Sequence, residues 1–179
     1  MRVLGIDPGY AILGYGVVDY EAGRLRLVDH GTVETAPGQP FEHRLLAIAD
    51  AVGEIISRTK PELVAIEEQF FAQNKTTALG TAQARGAVIT EAARAGLRVY
   101  EYTPAEIKKA VTGAGRAEKG QVQLMVKVLL NLTEVPRPDD AADALAVAIC
   151  QAFTGRLESF ELYGGYQGRA ARARGSGRG

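Results

Sequence analysis

Two short apolar segments of this sequence each end in a carboxylate, and this feature constrains the fold most strongly. Residues 3–7 end at Asp7 and are followed at once by the turn signal Pro8-Gly9, while residues 63–66 are followed by Glu67. Segments of this length and composition predict buried strands. Carboxylates at the carboxyl ends of strands lie at the rim of a sheet, where α/β proteins place their ligand sites.

The rest of the chain continues as an alternation of strand and helix patterns. Residues 14–19 and 25–33 predict two further strands joined by a tight turn, which makes the first three strands an antiparallel meander. The period then becomes helical, with Leu45, Ile48 and Val52 on one face. Helices are predicted at 41–57, 76–95, from Pro104 onward, at 118–132 and at 139–153, with a fifth strand at 97–102 and a loop at 112–116. This order predicts an α/β domain with a mixed five-stranded sheet flanked by helices.

Length and composition limit the chain to one globular domain. Its 179 residues fit a single domain, predicted to span residues 1–158. Residues 159–179, rich in glycine and arginine, predict a disordered tail. The apolar runs are too short to cross a membrane. The single cysteine, Cys150, lies in an apolar run and predicts a buried core residue of a cytoplasmic protein.

The formal net charge is zero, but the charges are unevenly distributed. The segment from Arg94 to Lys127 contains seven basic residues and three acidic ones. The segment after Gly164 contains four arginines and no acidic residue. A basic face of this kind suits a nucleic-acid partner. Ordinary solvated lysines and arginines explain the same pattern equally well, so charge alone does not decide between a nucleic-acid-binding face and an ordinary surface.

Two further acids belong to the last predicted helix. Asp140 and Asp143 are three residues apart and therefore project from one face of that helix. If this face packs beside the strand ends, Asp140 and Asp143 converge with Asp7 and Glu67. Four unpaired carboxylates repel one another, and divalent cations remove that repulsion. Two Mg²⁺ ions about 4 Å apart can activate a water and stabilise the leaving oxygen of a phosphodiester.

Each acid also has a purely structural explanation. Asp7 before Pro-Gly is a common turn residue, and Asp140 at a helix start favours the helix dipole. Asp143 is harder to explain in this way because its neighbours are apolar. Glu67 directly follows a buried strand, which is also an unusual position for a structural acid.

Five motifs in this order resemble the RuvC family of Holliday junction resolvases: GIDPGY, AIEEQFFAQN, AQARG, GAGRAEKGQVQ and DDAADALAVAI. The resemblance runs from Met1 to about Phe153, which is nearly the whole predicted domain. It implies a ribonuclease-H-like fold, a homodimer, and Mg²⁺ or Mn²⁺ as cofactor, with two ions per active site.

The resemblance also assigns residues. The catalytic and metal-binding acids fall on Asp7, Glu67, Asp140 and Asp143. Glu67 is chosen over its neighbour Glu68 because Glu67 holds the AIE position of the motif. The resemblance further implies a catalytic Lys119 and DNA contacts from Lys108, Lys119, Phe70 and Phe71. Arg116 of the basic stretch is a further expected DNA contact. It favours Phe70 for base stacking, although two core phenylalanines are the default from the sequence alone.

The expected function is therefore an endodeoxyribonuclease that resolves four-way DNA junctions by paired symmetric nicks. The small-residue helix at 76–95 is the expected part of a dimer interface, and a branch-migration motor is an expected partner. One alternative is a related nuclease acting on an RNA–DNA hybrid. Another is an actin-like or sugar-kinase phosphotransferase, whose phosphate loop also uses a strand-ending D-x-G, but that fold needs two such domains.

Overall fold

The structure is a computed structural model that describes residues 1–68 and 75–155. In chain order its elements are β1 (Arg2–Asp7), β2 (Ile12–Glu21), β3 (Arg24–Glu34), α1 (Phe41–Thr59), β4 (Leu63–Glu67), α2 (Lys75–Arg94), β5 (Arg98–Tyr102), α3 (Pro104–Thr112), α4 (Lys119–Leu129) and α5 (Asp139–Thr154). The predicted order of strands and helices is confirmed. The predicted domain boundary at residue 158 and the tail 159–179 lie outside the described residues.

The five strands form one mixed sheet in the order β3-β2-β1-β4-β5. The first three strands pair antiparallel, as the meander predicts. The strands β4 and β5 extend the sheet in parallel on the other side of β1, each reached through a helix. The carboxyl ends of β1, β4 and β5 therefore meet at one edge of the sheet.

Helices cover both faces of this sheet. On one face, α1 and α2 pack against the side chains of Leu4, Ile6 and Ile66. On the other face, α3, α4 and α5 cover Val3, Leu63 and Ala65. Because side chains alternate along a strand, odd-numbered residues of β1 and β4 face α5, and this set includes Asp7 and Glu67.

The last helix, α5, is almost entirely buried against the sheet. It comes unusually close because glycines of β1 and β2 lie beneath it. A Cβ at Gly5 would lie 2.2 Å from the carbonyl oxygen of Ala144, and one at Gly16 would lie 2.7 Å from the side chain of Leu145. Cys150 is a fully buried cysteine of this helix, as predicted.

The largest difference from a predicted boundary is at α4, which ends at Leu129, three residues before the predicted end at residue 132. The apolar periodicity continues through Leu130 and Leu132, but Asn131 adopts a left-handed backbone with φ 52°. That conformation cannot continue a right-handed helix. The apolar residues of this turn pack on the core without belonging to the helix.

The small residues of α2 do not share one surface. Gly80 packs on the ring of Tyr10, where an added Cβ would lie 3.1 Å from the ring, whereas an added Cβ at Gly86 meets no neighbour within 4 Å. Ala84 is buried in the core beside Val88. In the described part of the chain, no helix is both long and apolar enough to span a membrane.

Candidate active site

The carboxylates of Asp7 and Glu67 lie side by side at the edge of the sheet. The strands β1 and β4 are parallel neighbours in which Ile6 pairs with Ile66, so the two acids are the next residues on adjacent strands. Alternation turns both toward α5. The charge of Glu67 helps to raise the pKa of Asp7, so two acids far apart in sequence interact in the fold.

The first turns of α5 bring the other two acids to the same place. Gly14 of β2 pairs with Asp7, and a Cβ at Gly14 would lie 2.0 Å from the carbonyl oxygen of Asp140. One turn further along the helix, Asp143 lines a cleft of about 270 Å³ together with Glu67. The structure therefore brings together all four acids named from the sequence.

Burial and mutual repulsion disturb the ionisation of this cluster. Burial, followed by the charges of Glu67, Asp143 and Asp140, raises the pKa of Asp7 to about 7, and the charge of Lys119 opposes this rise. Burial and the charge of Asp143 also raise the pKa of Glu67. The cluster holds more negative charge than the neighbouring lysines neutralise, which is the electrostatic condition for binding a cation.

Two lysines enter the cleft from α3 and α4. The Nζ atom of Lys119 lies 2.9 Å from Oδ2 of Asp143, and this hydrogen bond is the main cause that raises the pKa of Lys119. Lys108 lines the same cleft. Both helices have ordered starts. For example, Glu106 donates its backbone N–H to the Thr103 hydroxyl at the start of α3.

The floor and walls of the cleft are mostly apolar. Besides the two acids and two lysines, it is lined by Pro104, Ile107, Val122 and Ala146. Glu68 does not line this cleft; its backbone N–H donates to the carbonyl of Tyr102 on β5. Apolar walls lower the local dielectric and strengthen the interactions between the charges at the opening.

The remaining predicted contacts lie elsewhere. Arg116 is exposed in the connection between α3 and α4 and does not line the cleft. Phe70 and Phe71 lie outside the described residues. One residue was missed as a partner in the site: Asp139, whose Oδ2 lies 3.5 Å from Nζ of Lys119. Its place beside Asp140 in the motif DDAADALAVAI is the signal in the sequence that points to it.

The carboxylates suit a divalent cation that is shared with a phosphate. Among residues 1–68 and 75–155, no three carboxylate, imidazole or thiol groups are arranged closely enough to hold a metal ion by themselves. Mg²⁺ rarely needs such a cage, because it keeps several waters and binds through one or two carboxylates plus the phosphates of its substrate. Hard oxygen donors with excess negative charge fit Mg²⁺ or Mn²⁺.

Comparison with known proteins agrees with this geometry. Residues 3–151 match the family model described as crossover junction endodeoxyribonuclease RuvC. The protein of that name from Pelotomaculum thermopropionicum is 55% identical to this chain, over 85% of this chain and 93% of that protein. In Alkaliphilus metalliredigens the identity is 50%, over 89% of this chain and 97% of that protein.

Solved structures give the same result. The Thermus thermophilus RuvC structure superposes with a TM-score of 0.82 at 44% identity, over 88% of this chain and 96% of that one. The complex of that protein with a Holliday junction substrate gives 0.81 at 42% identity, with the same coverage. The yeast mitochondrial resolvase Ydc2, at 14% identity and a TM-score of 0.61, shares the fold. The predicted ribonuclease-H-like fold is thus confirmed, and the chain belongs to the crossover junction endodeoxyribonuclease RuvC family.

Proposed function

We propose that this protein is an endodeoxyribonuclease that resolves four-way Holliday junctions, with Asp7, Glu67, Asp140 and Asp143 as its catalytic acids. The observation that carries the residue assignment is the meeting of Asp7 and Glu67 with the first turns of α5. Membership of the RuvC family and the solved complex of the T. thermophilus relative with a junction support the substrate.

The acids are proposed to hold the cofactor, Mg²⁺ or Mn²⁺, with two ions per site. When bound, these ions supply a water that is nucleophilic at neutral pH and a counter-charge for the leaving 3′ oxygen. Burial and the charges of three other carboxylates raise the pKa of Asp7. A bound cation would relieve this repulsion, and Asp7 would hold it together with the other acids.

The lysines are proposed to act on the phosphate. Lys119 reaches Asp143 with its ammonium group at the cleft, and Lys108 lines the cleft wall. An ammonium beside the scissile phosphate stabilises the negative charge that develops on its oxygens in the transition state. Lys119 is the proposed catalytic lysine, and Lys108 and Arg116 are proposed DNA contacts.

The assembly around this site is also a proposal. A junction with two like strands calls for two active sites in a fixed relation, which a closed homodimer supplies. The helix α2, Lys75–Arg94, is the proposed part of that interface. Phe70 or Phe71 is the proposed stacking residue. A branch-migration motor is the proposed partner, in a cytoplasmic setting that one reduced cysteine, Cys150, suits.

Substrate selectivity tests the proposal. Purified protein is incubated with a synthetic four-way junction, a linear duplex of the same sequence and an RNA–DNA hybrid, each with Mg²⁺, Mn²⁺ or EDTA. The expected result is metal-dependent cleavage of the junction into two nicked duplexes with 5′-phosphate ends. Preferential cleavage of the hybrid would instead favour the alternative nuclease. Asp50→Asn, an exposed acid on α1, is a control that should cleave normally.

A further inference from the structure

The ammonium group of Lys119 lies between two carboxylates that differ in their surroundings. Its Nζ atom is 2.9 Å from Oδ2 of Asp143 and 3.5 Å from Oδ2 of Asp139. Asp143 lines the cleft together with Glu67, whereas Asp139 does not. Lys119 is therefore held by one acid of the proposed metal site and by one acid outside it.

Asp139 is itself fixed in place. Its Oδ1 accepts a hydrogen bond of 2.5 Å from Nη1 of Arg137, while its Oδ2 faces Lys119. It is the first residue of α5, where the helix dipole stabilises a negative charge. The two oxygens of Asp139 thus have separate partners, and the residue remains oriented toward Lys119.

The pair between Lys119 and Asp143 conflicts with the proposed role of Asp143. A carboxylate that binds a divalent ion holds an ammonium less firmly, because the two positive charges repel each other across the same carboxylate. Lys119 is more than half exposed, and a lysine side chain regains rotamer entropy when it is released. Without a second partner it would leave the cleft.

We infer that Asp139 is a positioning residue that retains the Lys119 ammonium at the cleft when Asp143 binds a divalent ion. It does so through its Oδ2 atom, without touching the substrate or the reacting atoms. The inference rests on the proposed function, because it requires Lys119 to act on the phosphate. It assigns Asp139 a task distinct from that of its neighbour Asp140.

Kinetics provide the first test. The Asp139→Asn change should lower the single-turnover cleavage rate of a four-way junction by about three- to fivefold, the size expected for one exposed ion pair. The dissociation constant for the junction should stay the same, and Asp139→Glu should restore most of the rate. Glu134→Gln, an exposed acid in the preceding connection, is the matched control and should cleave at the normal rate.

A double-mutant cycle with Lys119→Met shows whether Asp139 acts through Lys119. In the Lys119→Met background, Asp139→Asn should cause no further loss of rate. Mn²⁺ affinity of the DNA-free protein is the independent readout. Asp139→Asn should weaken it about two- to fivefold when Lys119 is present, because Lys119 then pairs only with Asp143, and should leave it unchanged when Lys119 is absent.

The outcomes separate the two proposals. Equal losses from Asp139→Asn in both backgrounds would overturn the inference, because they would reflect the lost charge alone. A normal rate for Asp139→Asn beside a slow Lys119→Met variant would overturn it as well, while leaving the proposed role of Lys119 intact. A normal rate for Lys119→Met would instead overturn that proposed role. Circular dichroism of each variant checks that it is folded.

Discussion

Gly14 lies directly beneath the backbone of Asp140, so closely that a Cβ at Gly14 would lie 2.0 Å from the Asp140 carbonyl oxygen. Because Gly14 also pairs with Asp7 in the sheet, this contact sets the distance between the helix acids and the strand acids. No flexible side-chain end is available to yield at this point, since the two nearest atoms belong to the backbone of Asp140.

Gly14→Ala should therefore displace the start of α5 and separate Asp140 from Asp7. We expect a loss of junction cleavage of at least tenfold and a loss of unfolding free energy of about 1–3 kcal/mol, as for other overpacked sites. Cleavage assays and urea denaturation measure the two effects. Gly53→Ala is the control, because its Cβ would meet only the side chain of Glu91 at 3.5 Å and alanine favours a helix.

The ionisation of Asp7 predicts how metal-free stability depends on pH. Its pKa is raised from 3.8 to about 7 in the folded protein. The contribution of Asp7 to the unfolding free energy is therefore fully present below pH 3.8 and is lost as the pH rises through 7. Asp7→Asn removes this loss. The stability advantage of the Asn variant should grow by about 2–3 kcal/mol between pH 5 and pH 8. Urea denaturation in EDTA measures it, and an advantage independent of pH would contradict the assignment.

The affinity for a divalent ion should also depend on the ionisation of Asp7, but it should rise with pH, whereas the metal-free stability falls. Asp7 must lose its proton to act as a ligand, so Mn²⁺ affinity should be about tenfold weaker at pH 6 than at pH 8. Calorimetric titration of the DNA-free protein at both pH values gives the ratio. The Asp7→Asn variant, which has no such proton to lose, should show a much smaller ratio together with weaker binding.

The ion pair between Asp19 and Arg2, far from the site, should affect stability with the opposite pH dependence. A side-chain hydrogen bond from Arg2, with help from Arg26, lowers the pKa of Asp19 from 3.8 to about 2. Asp19 therefore stabilises the fold above pH 3.8, and this contribution is lost as the pH falls through 2. Asp19→Asn should cost about 1–2 kcal/mol at pH 7 without changing cleavage. Asp19 pairs with Arg2 at the start of β1, whereas Asp7 lies at the carboxyl end of this strand. A large loss of cleavage in a folded Asp19→Asn variant would therefore contradict the proposed location of the active site.

Much of the fold, and the meeting of four acids at the strand ends and the start of α5, could be predicted because the strand and helix signals are local. An apolar run that ends at Asp7 or Glu67 indicates a strand end, and a helical period indicates α5. What could not be predicted depends on contacts between distant segments. The pair between Lys119 and Asp139 exists only because the starts of α4 and α5 lie together. The early end of α4 depends on the backbone of Asn131, which hydrophobic periodicity does not report.

The central claim is that the four acids are required for cleavage of the junction and not for its binding. It is tested most directly by comparing wild-type and Asp7→Asn proteins on one labelled junction, with cleavage in Mg²⁺ and binding in Ca²⁺ or EDTA measured in parallel. The account predicts binding within about threefold of wild type and cleavage slower by about a thousandfold or more. An Asp7→Asn protein that binds the junction and cuts it at the wild-type rate would contradict the account.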